Sequence, residues 1–244
     1  LPDRSLAWPG RHGGLSPDQN YRQEIEGVLR WYPSEPSIIL QGNWFHNNTP
    51  VVSLEKMQDY YLSSVGYGVT PLMNISPNSK GLIDESTVDR LIEFKTWVDE
   101  LHRSDLTQSG KVKVSTDSHR VKGSKFAPKV LIDNDYDTYF ATDDNMRNAV
   151  IEIDLGTVQE IDGFIIQEYI PLGQRVDGYS IECRVEGNWV EVFAGKKIGY
   201  KRIILEGRTS ASNIEFPASD GVRLKISHAL ACPLISTFQV IGNQ

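Results

Sequence analysis

The chain has 244 residues, enough for one or two domains, of which 39% are hydrophobic and 23% are charged. This composition is typical of a folded globular protein, and no apolar run approaches the length of a membrane-spanning helix. The formal net charge of −7 argues against DNA or RNA as the main ligand, because nucleic-acid-binding surfaces are usually basic.

The first part of the chain predicts alternating strands and helices. Residues 1–36 are rich in turn formers, and the apolar run at 38–40 predicts a buried strand. Ser53 is suited to cap a helix that runs through Val65, and residues 69–75 predict the next strand. Asp84 is suited to cap a long helix to about Leu101. The apolar face of that helix is predicted to contain Val88, Leu91, Ile92, Val98 and Leu101.

This β-α-β-α order predicts a parallel α/β arrangement for residues 1–105. Two strand–helix units are too few to close a barrel or to cover both faces of a parallel sheet. We therefore expect these strands to need further strands as partners.

A polar linker is predicted at residues 106–111, and beyond it the hydrophobic period changes to two. Ile151, Ile153 and Leu155 alternate with polar residues, and Gly187-Asn188 is a hairpin signal between two later strands. Many short strands without helices predict an antiparallel β-sandwich or jelly roll for residues 112–244. The fold class is thus α/β followed by all-β.

Cys183 and Cys232 are the two cysteines of the chain, too few for a disulfide scaffold. Cys183 lies in an alternating strand, where a small buried hydrophobic side chain and a bridge to Cys232 are both consistent with the pattern.

Two ordered sets of motifs resemble the C-terminal portion of bacterial and plant-type alpha-L-fucosidases. The first set is WPGRHGGLSPD at 8–18, WYPSE at 31–35, LQGNWF at 40–45, YYLSSVG at 60–66 and LMNISPNSKG at 72–81. The second set is FAP at 126–128, LID at 131–133, QE at 167–168, LGQRV at 172–176, IGYKR at 198–202 and ACPLIS at 231–236. Together they extend over nearly the whole chain.

The resemblance implies a fold for each part. Residues 1–105 would be the last strand–helix units of a TIM-like (β/α) barrel, and residues 112–244 a galactose-binding-like, discoidin-type β-sandwich. Proteins of this family act on terminal fucose of glycans by a retaining mechanism, which needs two carboxyl groups. The resemblance also implies a secreted, periplasmic, lysosomal or vacuole-like compartment.

The matched region departs from the family at the two catalytic positions, the nucleophile and the acid/base. The family's nucleophile Asp lies upstream of the region present here, and nothing in this chain matches it. The family's acid/base Glu follows an Asn, whereas this chain has Arg11 and His12 at those two positions. Histidine transfers protons near neutral pH, so His12 is a candidate for the acid/base role, and a loop that has lost its acid is the alternative.

The substrate-binding candidates are Trp44, Phe45, Trp8 and Arg11. Sugars present apolar C–H faces that stack on aromatic rings, and the resemblance implies that the Trp44–Phe45 pair borders the methyl group of fucose. The alternative for these aromatic residues is core packing between strand and helix.

No cofactor is required by this chemistry, but a structural Ca²⁺ site is a candidate at Asp133, Asp135 and Thr138. Sandwiches of this type often hold Ca²⁺ in such a loop, and Ca²⁺ prefers six to eight oxygen ligands. An Asx-turn, in which the Asp side chains bond to local backbone, is the alternative.

Two functions stay open from the sequence. The chain is either the C-terminal part or a subunit of a fucosidase-like hydrolase, or a non-catalytic lectin-like or assembly protein derived from that family. In the first case a fucosylated glycan is the substrate, and a second chain or a missing segment completes the barrel and supplies the nucleophile.

Overall fold

The computed structural model describes residues 22–25, 28–31, 35–109, 112–117, 120, 124–208 and 214–242. The first elements in chain order are β1 (Arg22–Ile25), β2 (Val28–Trp31), β3 (Ser37–Ile39), α1 (Leu54–Ser64), β4 (Leu72–Asn74) and α2 (Glu85–Arg103). The predicted order of strand and helix is confirmed from β3 onward. β1 and β2 pair antiparallel within residues 1–36, the part of the chain that the sequence predicts to be rich in loops.

β3 and β4 pair in parallel, with Ile38 opposite Met73. α1 connects them and buries Met57 in one cluster with Ile38 and Leu40. This is the βαβ arrangement in which apolar strands are covered by the connecting helix. Within the ranges that the structure describes, this sheet consists of these two strands.

Local sequence determines both ends of α1. Ser53 occupies the N-cap position, where its Oγ accepts a hydrogen bond from the backbone N–H of Lys56 at 3.2 Å. A 3-10 turn at Val65–Tyr67 follows, and it ends at Gly68, whose φ of 75° lies in the left-handed region. A Cβ at Gly68 would lie 2.9 Å from the backbone nitrogen of Lys201, so only glycine fits where this turn meets the second half of the chain.

α2 packs through a face that differs in part from the predicted one. The packed side chains are Leu91, Phe94, Trp97, Val98 and Leu101. The prediction was wrong for Val88 and Ile92, whose side chains are 39% and 58% exposed. Tyr61 of α1 contacts Trp97 edge to face, with ring centroids 5.6 Å apart. Successive residues of a helix point about 100° apart around its axis. Ile92, which follows Leu91, therefore points away from the packed face.

The second half forms two antiparallel sheets, as predicted. Its strands are β5 (Lys113–Thr116), β6 (Phe140–Ala141), β7 (Ala149–Gln159), β8 (Gly163–Glu168), β9 (Val176–Val185), β10 (Asn188–Gly195), β11 (Arg202–Leu205), β12 (Ser219–Ala229) and β13 (Leu234–Ile241). One sheet has the order β10-β9-β12-β7-β5, and the other has the order β11-β8-β13-β6. A single hydrophobic core containing Ile151, Phe164, Leu224 and Phe238 joins the two sheets.

Cys183 and Cys232 are both free and buried. The interpretation of Cys183 as a small buried hydrophobic residue is confirmed, because its side chain is fully buried in the sandwich core. The alternative of a bridge to Cys232 is wrong.

The two halves are joined by buried contacts. Leu106, at the start of the predicted linker, lies in a 3-10 turn and packs into the sandwich core with 4% exposure. A second cluster unites Tyr61 and Leu101 of the helices with Ile203 and Ile241 of the four-stranded sheet. No helix in the described ranges is both long enough and apolar enough to cross a membrane.

Candidate functional site

The candidate site lies where β3 and β4 end. Both strands run in the same direction, so the segments that follow them, 40–49 and 75–84, meet at one edge of the sheet. Side chains that follow parallel strands are the usual source of binding and catalytic groups in α/β proteins.

Trp44 and Phe45 project from the first of these segments with 50% and 80% of their surfaces exposed. The alternative of core packing is therefore wrong for this pair. The backbone carbonyl of Trp44 accepts hydrogen bonds from Asn74 Nδ2 at 3.0 Å and from Ser76 Oγ at 2.7 Å. The end of β4 and the segment after it thus hold the backbone of Trp44 in place while both rings stay exposed.

A second fastening comes from Asn47 within the same loop. Its Nδ2 donates to the carbonyls of Gln41 at 3.0 Å and Phe45 at 3.2 Å, and its Oδ1 accepts from the backbone N–H of Thr49 at 2.7 Å. Because the loop's polar groups are paired internally, exposure of the rings does not leave the backbone without partners.

His46 and Asp84 make a side-chain hydrogen bond that sequence reasoning missed. His46 Nε2 lies 2.7 Å from Asp84 Oδ2, and Asn78 Nδ2 donates to Asp84 Oδ1 at 3.0 Å. Asp84 occupies the N-cap position of α2, as predicted, but its side chain makes no capping bond. The pKa of Asp84 lies below its ordinary value, first because Asn78 donates to the carboxylate and then because His46 does.

Nothing in the local sequence could have revealed this contact. His46 and Asp84 are 38 residues apart, and Asp84 carries the ordinary sign of a helix start. A carboxylate engaged by two side chains is suited to hold the loop rather than to attack a substrate.

Trp8, Arg11 and His12 lie outside the residues that the structure describes. Their assignment to the acid/base loop and to substrate binding stays a prediction.

Asp133, Asp135 and Thr138 lie together in one loop of the sandwich. Asp133 Oδ1 accepts from the backbone N–H of Asp135 at 2.9 Å, and Asp133 Oδ2 accepts from Thr138 Oγ1 at 2.9 Å. Asp135 Oδ1 accepts from the N–H of Asp137 at 3.0 Å. These bonds form the Asx-turn alternative and give both oxygens of Asp133 local partners. The Ca²⁺ site stays a prediction.

Chemically, the edge formed after β3 and β4 offers two exposed rings on a fixed backbone. Such rings bind flat apolar surfaces, including the C–H face of a sugar, and an ordered backbone lowers the entropy lost on binding. The exposed rings at this edge therefore have the features of a binding surface.

Known proteins are similar to the chain over most of its length. Residues 111–228 match the family model of the F5/8 type C domain. The chain is 27% identical over 226 residues to Alpha-L-fucosidase 1 of Arabidopsis thaliana, a match that covers 90% of this chain and 42% of that protein. A curated relative from Oryza sativa subsp. japonica is 29% identical over 216 residues, covering 87% of this chain and 40% of that protein.

Among solved structures, a Ruminococcus gnavus GH29 fucosidase in complex with fucose matches with a TM-score of 0.78 and 26% identity. The match covers 88% of this chain and 42% of that structure. The chain thus spans less than half the length of these relatives. Over 88–90% of its length the chain is thus similar to alpha-L-fucosidases, and residues 111–228 are similar to the F5/8 type C domain.

Proposed function

We propose that the chain is the C-terminal part of an alpha-L-fucosidase-like glycoside hydrolase acting on terminal fucose of glycans. The observation that carries the proposal is the exposed Trp44–Phe45 pair, fastened by Asn74 and Ser76 at the carboxyl edge of two parallel strands. Substrates of (β/α) barrels bind at this edge. Similarity to alpha-L-fucosidases over nine tenths of the chain supports the choice of sugar.

In this proposal the aromatic pair binds and orients the sugar. One ring stacks on the C–H face, and the other contacts the methyl group of fucose. Retaining hydrolysis then proceeds in two steps: a carboxylate attacks the anomeric carbon while an acid protonates the leaving oxygen, and water later displaces the enzyme carboxylate. The nucleophile comes from outside this chain, and His12 stands at the acid/base position.

Exposed apolar side chains around β4 and α2 support the proposal that further barrel strands, from a second chain or another segment, cover this half. Leu72 on β4 is 50% exposed, Leu82 before α2 is 62% exposed, and Ile92 on α2 is 58% exposed. Water-exposed side chains of this size beside an open parallel sheet favour a covering partner.

The test is hydrolysis of an aryl α-L-fucoside by the native assembly, together with the mass of that assembly. We expect a mass above that of one chain and measurable turnover. Phe45→Ala should lower kcat/KM about tenfold by removing stacking, while Tyr136→Ala, which removes a 51% exposed ring from the sandwich, should leave it unchanged. An assembly with a complete barrel and no turnover would eliminate the hydrolase.

A non-catalytic carbohydrate-binding or assembly protein is the second candidate, favoured by His12 at the position where the family has its acid/base Glu. It predicts binding of fucosylated glycans on an array without hydrolysis of the aryl fucoside. If turnover is present, His12→Ala decides whether this side chain takes part in it: unchanged kcat would remove His12 from the mechanism.

The remaining proposals concern the surroundings of the site. A secreted, periplasmic, lysosomal or vacuolar compartment suits a protein that meets glycans. A structural Ca²⁺ bound at Asp133, Asp135 and Thr138 would raise the Tm on addition of CaCl₂, and EDTA would reverse the rise. An unchanged Tm in both conditions would show that the loop is held by the Asx-turn without Ca²⁺.

A further inference from the structure

A cleft of about 430 Å³ opens between α1 and β11, where the two halves of the chain meet. Neither Trp44 nor Phe45 lines it. Its volume falls within the range of sites that hold small ligands. The cleft is therefore large enough to bind a molecule of its own.

Part of the cleft lining is apolar and buried. Leu62 and Ile203 line it with only 8% and 6% of their surfaces exposed, and both belong to the cluster that joins the helices to the sandwich. Tyr67 and Leu205 line it as well. The guanidinium of Arg202 lies over the Tyr67 ring, 3.9 Å from its centroid, and holds the ring in place.

The rim of the cleft is polar. Glu55 and Asp59 lie one turn apart on α1 and are both exposed. Arg208 faces them from the turn after β11, where it donates to Gln58 Oε1 at 2.7 Å and contacts Asp59 Oδ1 at 3.4 Å. In the described residues Glu55 has no bonded partner, so its carboxylate is available to a ligand.

We propose that this cleft is a saccharide-binding site that takes a neutral mono- or disaccharide unit. An apolar lining with an aromatic ring suits the C–H face of a pyranose, while carboxylates and a guanidinium at the rim accept from and donate to its hydroxyl groups. Two carboxylates against one guanidinium disfavour an anionic sugar. The site is independent of fucoside hydrolysis, since it shares no side chain with the Trp44–Phe45 edge.

The test is methyl NMR of the intact chain, titrated separately with lactose, cellobiose and mannobiose. These sugars contain no fucose, so their binding reports on the cleft and not on the proposed hydrolase site. At least one of them should shift the methyl resonances of Leu62, Ile203 and Leu205, whereas those of Leu72, exposed on β4, should not move. Absence of shifts with all three sugars, or shifts confined to other regions, would refute the proposal.

A matched pair of variants gives a second criterion. Glu55 and Glu85 each lie in the first turn of a helix and are exposed, but only Glu55 lines the cleft. Glu55→Ala should weaken the apparent affinity about tenfold through loss of charge-assisted hydrogen bonds, and Glu85→Ala should not change it. Equal affinities for the two variants, with melting temperatures as a check on folding, would also overturn the assignment.

Discussion

Asp84 shows how a single side chain links the candidate site to the helix behind it. Its carboxylate accepts hydrogen bonds from His46, in the loop that carries Trp44 and Phe45, and from Asn78, in the loop after β4. Asp84 itself occupies the position where α2 begins. The loop that presents Trp44 and Phe45 is thus tied to α2 by one charged group.

Replacing Asp84 by Asn should reduce stability in a pH-dependent manner. The folded-state pKa of Asp84 is depressed by its hydrogen bonds with Asn78 and His46. Its contribution is therefore fully present above the ordinary Asp pKa of about 4 and is lost as the pH falls through the lower folded-state value. Urea unfolding should show Asp84→Asn less stable than wild type at pH 7, with the difference shrinking in strong acid. Asp89→Asn, at an exposed position of α2, is the control, and a pH-independent difference would contradict this account.

Cys183 should be inert toward thiol reagents in the folded protein. Burial raises its pKa to about 12, and the thiolate is the reactive form. A disulfide-exchange reagent at pH 8 should leave Cys183 unlabelled until denaturant is added, as judged by peptide mass analysis. Rapid labelling under native conditions would show that this part of the core opens.

At the scale of single elements, α1 is the clearest case of structure specified by local sequence. The Ser53 side chain accepts a hydrogen bond from Lys56 N–H in the first turn of α1. Gly68 adopts the left-handed backbone conformation that ends the 3-10 turn after α1. Both are properties of residue type at a fixed offset, and both were predictable.

Ser53→Ala should lower the free energy of unfolding by about 1 kcal/mol, the usual contribution of an N-cap side chain. Chemical denaturation against Ser86→Ala, an exposed position in the first turn of α2, provides the comparison. An effect at Ser53 no larger than at Ser86 would mean that the cap bond adds nothing to stability.

The other elements show where local reasoning ends. The hairpin between β9 and β10 was predicted, but its turn lies at Glu186–Gly187, with φ of 50° and 79°, one residue before the Gly187-Asn188 signal. Register depends on which residues of β9 the sheet buries, and Cys183 pairs with both Val190 of β10 and Val222 of β12. Such pairings between distant strands are set by the whole sandwich and leave no mark at the turn.

For the molecule as a whole, the change of hydrophobic period made the two halves predictable, because period is a local property. The junction between them was not predictable, since it depends on contacts between residues more than 100 positions apart. Leu101 of α2 meets Ile203 and Ile241 in one cluster, and the residues predicted as a linker begin with the buried Leu106. The cleft and its rim arise from the same long-range packing.

Leu101→Ala should therefore cost about 2–5 kcal/mol, as expected for a large buried side chain. Ile92→Ala on the same helix should cost less than about 0.5 kcal/mol because Ile92 is 58% exposed.

Unfolding followed separately by Trp fluorescence and far-UV circular dichroism should give coincident transitions for wild type, since the shared cluster couples the halves. Separate transitions would show that the two halves unfold independently.

Gly68 has a consequence for the relative orientation of the halves. A methyl group at this position would act as a wedge between the 3-10 turn and Lys201, on a backbone that an L-residue already adopts with strain. Gly68→Ala should consequently tilt the sandwich away from α1 and lengthen the particle in solution, which small-angle X-ray scattering would register as a larger radius of gyration. The close approach that glycine permits at position 68 therefore sets the angle between the strand–helix half and the sandwich.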